Sequence, residues 1–135
     1  MTRLVLALLL PAATLLWAAE PVPPAPRQMI RALLANGDIP LSVHSSCKGV
    51  GSTPSDVNLR DYVSGLLANF TEPDGRNSMV TAAKAVKGAD GGLRWECRVE
   101  FVHVADGDPF KYGVMFQMRQ NGSIVRDTVR CTGGG

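Results

Sequence analysis

Few side chains in this sequence are of the types that carry out acid–base, nucleophilic or metal chemistry. Its two histidines are His44 and His103, and neither lies in a cluster of ligands with the spacing of a metal site. Cys97 and His103 would be a nucleophile and its base, but six residues of extended strand separate them by about 20 Å. We therefore expect no metal, no cofactor and no cysteine nucleophile.

Two acidic candidates remain. The segment Asp106-Gly107-Asp108 begins like a calcium loop but lacks the later ligands, so it predicts a turn. Asp127 would face Phe116 on a buried sheet face in a simple hairpin register, where an isolated carboxylate must be protonated or paired. A bulge that turns Asp127 outward is the interpretation that we favour. The sequence thus predicts a protein that is not an enzyme, and a small hydrolase-like enzyme that uses Asp127 or His103 is the alternative.

The N-terminus has the pattern of a secretory signal peptide. Arg3 precedes an apolar run from Leu4 to Leu16, and Ala19 supplies a small residue at the cleavage position. This run is shorter than the roughly 20 apolar residues that a transmembrane helix needs. We expect cleavage near residue 19, a periplasmic or secreted protein, and no stable membrane insertion after cleavage. Trp17 is an unusual neighbour of such a site, which leaves the exact position open.

The chain that remains after cleavage has the size of one domain. Residues 20–26 contain four prolines and predict an extended tether, and residues 27–135 predict a single folded domain. A hydrophobic fraction of 45% and a charged fraction of 19% exclude a disordered chain. The formal net charge of +2 is too small to indicate nucleic acid as a partner.

Two amphipathic helices are predicted before any sheet. The first covers residues 27–36, and Asn36-Gly37 would end it in the left-handed conformation. The second would begin at Pro54, with Thr53 as its N-cap, and would run to Phe70 with a continuous apolar face. Such a face must be buried against other parts of the chain.

The second half of the sequence changes to a period of two, which indicates strands. Asn121-Gly122 lies between two alternating runs and predicts a two-residue turn with Met118 opposite Val125. One or both helices would cover the apolar sheet face, giving an α+β two-layer domain. In outline, helices followed by a meander resemble the cystatin-like folds. The predicted antiparallel meander consists of residues 78–87, which also fit a helix, and residues 93–104, 111–119 and 123–132.

Three cysteines in an exported protein predict one disulfide. In a regular meander Cys97 and Cys131 lie two strands apart, about 9–10 Å, whereas disulfides need a Cα separation of roughly 4.4–6.8 Å. Cys47 lies in a loop rich in glycine and serine and is the more adaptable partner. We predict a Cys47–Cys131 disulfide with Cys97 as a buried thiol, and Cys47–Cys97 is the competing pair.

The outward face of the predicted sheet is basic, whereas residues 54–74 are predominantly acidic. We predict that this basic face docks on an acidic surface of another protein, since arginine and methionine are enriched in interfaces. The predicted function is a non-enzymatic protein-binding module, an inhibitor or immunity protein that neutralises an enzyme or toxin. An accessory subunit of an envelope or secretion complex is the alternative. The predicted contact residues are Arg94, Arg98, Met115, Arg119, Ile124, Arg126 and Arg130.

Overall fold

A computed structural model of the protein describes residues 20–41, 57–70 and 77–133. The predicted signal peptide, Cys47 and the helix cap predicted at Thr53 and Pro54 lie outside these residues. No helix in the described ranges is long and apolar enough to cross a membrane. The described chain forms α1 (Pro26–Ala35), α2 (Leu59–Phe70), β1 (Asn77–Lys87), β2 (Leu93–Ala105), β3 (Asp108–Arg119) and β4 (Ile124–Gly133).

The four strands form one antiparallel sheet in the order β1-β2-β3-β4, and the two helices pack on one of its faces. The predicted α+β two-layer fold with a four-stranded meander is therefore confirmed. The segment that also fitted a helix is strand β1, which pairs with β2 along all of its eleven residues. The core between the layers includes Leu33, Val63, Phe101, Phe116 and Val129, each at most 1% exposed.

The first helix ends differently from the prediction. Asn36 has φ −103° and ψ 26°, and Gly37 has no positive φ either, so the predicted left-handed stop is wrong. Glycine at position 37 serves close packing instead, because a Cβ there would collide with the Cβ of Arg60 in α2. The Arg60 N–H donates to the Gly37 carbonyl at 3.1 Å, which joins the end of α1 to the start of α2.

The second helix begins at Leu59, five residues later than predicted. Asn58 is its cap, and the Asn58 Oδ1 accepts a hydrogen bond from the Asp61 N–H at 2.9 Å. Val57 and Asn58 are not helical, because they pair with the segment Pro40–Leu41. The Leu59 N–H donates to the Ile39 carbonyl at 2.8 Å, so this segment also satisfies the first turn of α2.

The turns of the sheet differ in type. Asp106 and Gly107 both have positive φ, 52° and 86°, and form the two-residue turn that joins β2 to β3. At the next hairpin Gly122 has positive φ but Asn121 does not, and the Arg119 N–H donates to the Ser123 carbonyl at 2.8 Å. The loop therefore has three residues, and the predicted two-residue Asn121-Gly122 turn is wrong.

The three-residue loop already shifts the β3–β4 register from the predicted one, and a bulge in β4 shifts it further. Gln117 pairs with Val125, but Met115 pairs with Arg130, so β4 contains extra residues at this point. The Thr128 side chain replaces the missing backbone partner. Its Oγ1 accepts a hydrogen bond from the Gln117 N–H at 2.8 Å, and its hydroxyl donates to the Val125 carbonyl at 2.6 Å.

The altered register overturns one assignment made from the sequence and agrees with another. Ile124 pairs with Met118 and is 4% exposed in the core, so its predicted place on the outward basic face is wrong. Asp127 lies in the bulge and is exposed, which agrees with the prediction of a bulge that turns it outward.

Candidate functional site

The sheet face opposite the two helices, called the open face below, carries a row of side chains from three strands. Arg98 of β2 pairs with Met115 of β3, and Met115 pairs with Arg130 of β4. Residues directly opposite in antiparallel strands point to the same face, so these three side chains are neighbours. The row places an apolar side chain between two guanidinium groups.

The contacts within this row keep its cations accessible. The Arg98 Nη2 lies 3.9 Å from the Met115 Sδ, and its Nη1 lies 3.5 Å from the Glu100 Oε1. The Arg98 side chain is 51% exposed, so water screens this ion pair. Arg130 is also exposed and forms no ion pair with a described residue. Both guanidinium groups can therefore meet a partner.

Two other predicted contact residues, Arg94 and Arg119, lie on the same face but are held by neighbours. The Arg94 Nη1 donates to the Gln117 Oε1 at 3.0 Å, its Nη2 lies 3.5 Å from Asp90, and its side chain is 11% exposed. The Arg119 Nη1 donates to the Ser123 Oγ at 3.3 Å and to the Ile124 carbonyl at 3.2 Å. These two arginines support the end of the face more than they present a free charge.

The open face is basic overall, because its cationic side chains outnumber its carboxylates. Half-buried and exposed apolar side chains, among them Met115 and Val80, lie between the charges. Register assigns to this face the cations Lys84, Arg94, Arg98, Lys111, Arg119 and Arg130 and the carboxylates Glu96 and Glu100.

Arg126 is directed to a different part of the molecule from the one that the sequence predicted. Its two guanidinium nitrogens bind both carboxylate oxygens of Asp38, at 3.0 and 2.8 Å. This hydrogen-bonded cation holds the pKa of Asp38 below its ordinary value, although both groups are exposed. Arg126 thus connects β4 to the segment after α1, and, like Ile124, it does not present its side chain on the open face as the sequence predicted.

The groups considered for catalysis are not brought together. Cys97 is in the core and fully buried, and burial, with a smaller contribution from Glu96, raises the pKa of its thiol to about 11. His103 pairs with Phe110, whereas Cys97 pairs with Phe116. Six residues of extended strand therefore separate His103 from Cys97 by about 20 Å. Asp127 lies exposed in the β4 bulge. Among the described residues, no group of three or more His, Cys, Asp or Glu side chains could hold a metal ion.

A groove of about 390 Å³ opens at the end of the sheet, between α1 and the β3–β4 turn. Trp95 and Met118 form its apolar floor, and its polar side chains include arginine and glutamine but no carboxylate, histidine or cysteine. No sequence pattern indicates this groove, because four parts of the chain form its walls. They are the segment before α1 with Val22 and Pro24, α1 with Gln28, Arg31, Ala32 and Ala35, β2 with Trp95, and the end of β3 and its turn with Met118, Arg119, Gln120 and Gly122.

Of the two described cysteines, only Cys97 is a free thiol. Cys131 is 7% exposed and pairs with Val114, whereas Cys97 pairs with Phe116, so the two sulfurs come from strands that are not neighbours. This arrangement agrees with the exclusion of a Cys97–Cys131 bond. Since Cys47 lies outside the described residues, its bond to Cys131 stays a prediction.

Comparison with models of known protein families, with curated proteins and with solved structures finds no match to this chain. The likeness to cystatin-like folds therefore stays a prediction, and the function must be inferred from the chain itself.

Proposed function

We propose that this is an exported, non-enzymatic protein-binding module that docks its open face on an acidic surface of another protein. The observation that carries this proposal is the row Arg98–Met115–Arg130, in which two exposed arginines flank a methionine. Arginine and methionine are enriched in protein interfaces, and a basic patch favours an acidic partner through complementary potential.

The dimensions of the open face suit this role. Four strands about 4.8 Å apart and about ten residues long cover roughly 19 by 33 Å, or about 600 Å². A standard interface buries about 800 Å² on each partner, so the open face with its rim would supply most of one side. Because the helices pack on the opposite face, docking here would leave the core undisturbed.

The partner that we propose is an enzyme or toxin, which the protein would neutralise as an inhibitor or immunity protein by covering its acidic surface. The signal-like N-terminus supports a periplasmic or secreted location. A disulfide from Cys47 to Cys131 fits the same location, and the free thiol of Cys97 supports this pairing over Cys47–Cys97.

The test is capture of partners from a periplasmic extract by the immobilised protein, followed by mass spectrometry. The double variant Arg98→Glu/Arg130→Glu reverses both exposed charges of the row. We expect it to lose the proteins that the unchanged protein captures. A captured enzyme or toxin would support the inhibitor proposal, whereas a structural envelope protein would make the module an accessory subunit.

The matched control is Arg27→Glu/Arg31→Glu, which makes the same change of net charge on the exposed side of α1. We expect this control to capture the same proteins as the unchanged protein. Arg31 also borders the groove, so loss of capture in the control alone would place the partner at the groove and contradict docking at the open face. Equal capture by all three proteins would contradict the proposal as well.

A further inference from the structure

The two edge strands of the sheet differ in how well they are protected from pairing with another strand. A bulge interrupts the register of β4, which also carries the charged residues Arg126, Asp127 and Arg130. In contrast, β1 pairs with β2 in unbroken register from Asn77 to Lys87. Bulges, prolines and charges are what normally prevent an edge from pairing. Strand β1 has neither a bulge nor a proline, and its charged residues are Lys84 and, at its end, Lys87.

The composition of β1 also favours pairing. Met79 and Val80 are 44% and 49% exposed, so apolar surface of β1 remains for a second strand to cover. Its central residues are threonine and alanine, so no bulky side chain lies at the middle of the edge. Among the described residues β2 is the one strand that pairs with β1, so the outer backbone N–H and C=O groups of β1 have no strand partner in that part of the chain and could bind a second strand.

We propose that β1 pairs antiparallel with β1 of a second copy of this chain, joining the two sheets into one. We propose a register with its two-fold axis at Ala82, the middle residue of β1. With this centre every residue of the strand has a partner, and Asn77 of each copy lies opposite Lys87 of the other. A two-fold contact of this kind is closed, so it produces a dimer and no fibre.

Charge and apolar surface agree with this register. Lys84 faces Val80 of the second copy, and its aliphatic stem can cover the exposed valine. Met79 faces Ala85 of the second copy on the side of the helices. A shift of the centre to Ala83 leaves two residues unpaired, and a shift to Lys84 places two lysines directly opposite, which destabilises a pair. The two open faces would lie side by side in this dimer.

A cysteine crosslink tests the register directly. In Ala82→Cys the two new cysteines lie opposite each other, with Cα atoms roughly 4.5–5.5 Å apart, inside the range of a disulfide. Ala85→Cys is the matched control on the same strand, also exposed, but its two copies lie six residues apart, about 20 Å. We expect a covalent dimer on a non-reducing gel for Ala82→Cys alone. Equal crosslinking of both variants, or of neither, would overturn the proposal.

Light scattering across a concentration series gives an independent test. We expect the mass of two chains at high concentration for the unchanged protein. Val80→Lys places a lysine opposite Lys84 of the second copy and should raise the dimer dissociation constant at least about tenfold. Adding Lys84→Glu makes that pair oppositely charged and should restore the dimer.

Val104→Lys is the control for this series, because it makes the same substitution at a 38% exposed valine of β2 beyond the end of β1. It should leave the dissociation constant unchanged within about twofold. If the protein is still a monomer at about 1 mM, self-pairing is overturned, even if β1 then pairs with a strand of another protein. Self-pairing is also overturned if Val104→Lys and Val80→Lys raise the dimer dissociation constant equally.

Discussion

Thr128→Val tests whether one side chain holds the bulge that sets the register of β4. Valine has nearly the shape of threonine but lacks the hydroxyl. The substitution therefore removes the acceptor of the Gln117 N–H and the donor to the Val125 carbonyl, bonds of 2.8 and 2.6 Å. The site is half-buried, so water replaces these bonds only in part.

The expected loss follows from the partner left unsatisfied. A buried donor without its acceptor costs about 1–3 kcal/mol, and we expect the free energy of unfolding to fall by about 2 kcal/mol. With a urea m-value of about 1–3 kcal/mol/M, the midpoint of unfolding should fall by roughly 1 M. Thr128→Ser keeps the hydroxyl and loses one methyl group, so its cost should be below about 0.8 kcal/mol.

Urea denaturation followed by circular dichroism measures both variants with the same probe. A lower midpoint with an unchanged m-value would show that the folded state lost stability without a change in the surface exposed on unfolding. A valine variant as stable as the serine variant would refute the role that we assign to the Thr128 hydroxyl.

Three further predictions concern the Cys97 thiol, the Tyr62 hydroxyl and the predicted disulfide. Because burial raises the pKa of Cys97 to about 11, the folded chain keeps the thiol proton that the unfolded chain releases. The stability of the protein relative to Cys97→Ser should be constant below about pH 9 and fall towards pH 11 in urea titrations. Tyr62→Phe removes the hydrogen bond to the Gly113 carbonyl at 3.4 Å and should cost about 0.5–1.5 kcal/mol by the same assay. Cys47→Ser, Cys131→Ser and their double variant should each lose about 2–5 kcal/mol, equally, if these two cysteines are paired.

The elements of the sheet could be predicted because side-chain alternation is a local property. The runs that form β2 and β3 alternate over many residues, and their apolar positions are the buried ones in the structure, as Val99 and Val114 illustrate. Even the ambiguous residues 78–87 were correctly counted as a strand, since the glycines after them favour a hairpin.

Register within the last hairpin could not be predicted in the same way. Asp106-Gly107 and Asn121-Gly122 are equivalent turn signals, yet only the first has both residues at positive φ. The second hairpin is decided by the whole β3–β4 pair, in which the Thr128 hydroxyl replaces a backbone partner. Nothing local distinguishes this threonine from one in an ordinary strand, so Ile124 was assigned to the wrong face.

The start of α2 was missed for a related reason. Thr53 and Pro54 make a good local helix start, but Asn58 also can cap a helix, and the segment around Ile39 bonds to the backbone at Leu59. That tertiary contact is invisible to a local pattern. The alignment of Arg98, Met115 and Arg130 follows in part from the sequence, because alternation places all three on the outward face, and the structure brings them side by side across three strands.

The dissociation constant of the captured partner tests docking at the open face most directly, measured for the unchanged protein and for the two charge-reversal variants. For Arg98→Glu/Arg130→Glu we expect an increase of about 100-fold or more, because like charges opposed across an interface cost several kcal/mol. For Arg27→Glu/Arg31→Glu we expect a change below about twofold, since these arginines lie on α1. Equal dissociation constants for the two variants would contradict the proposed docking face.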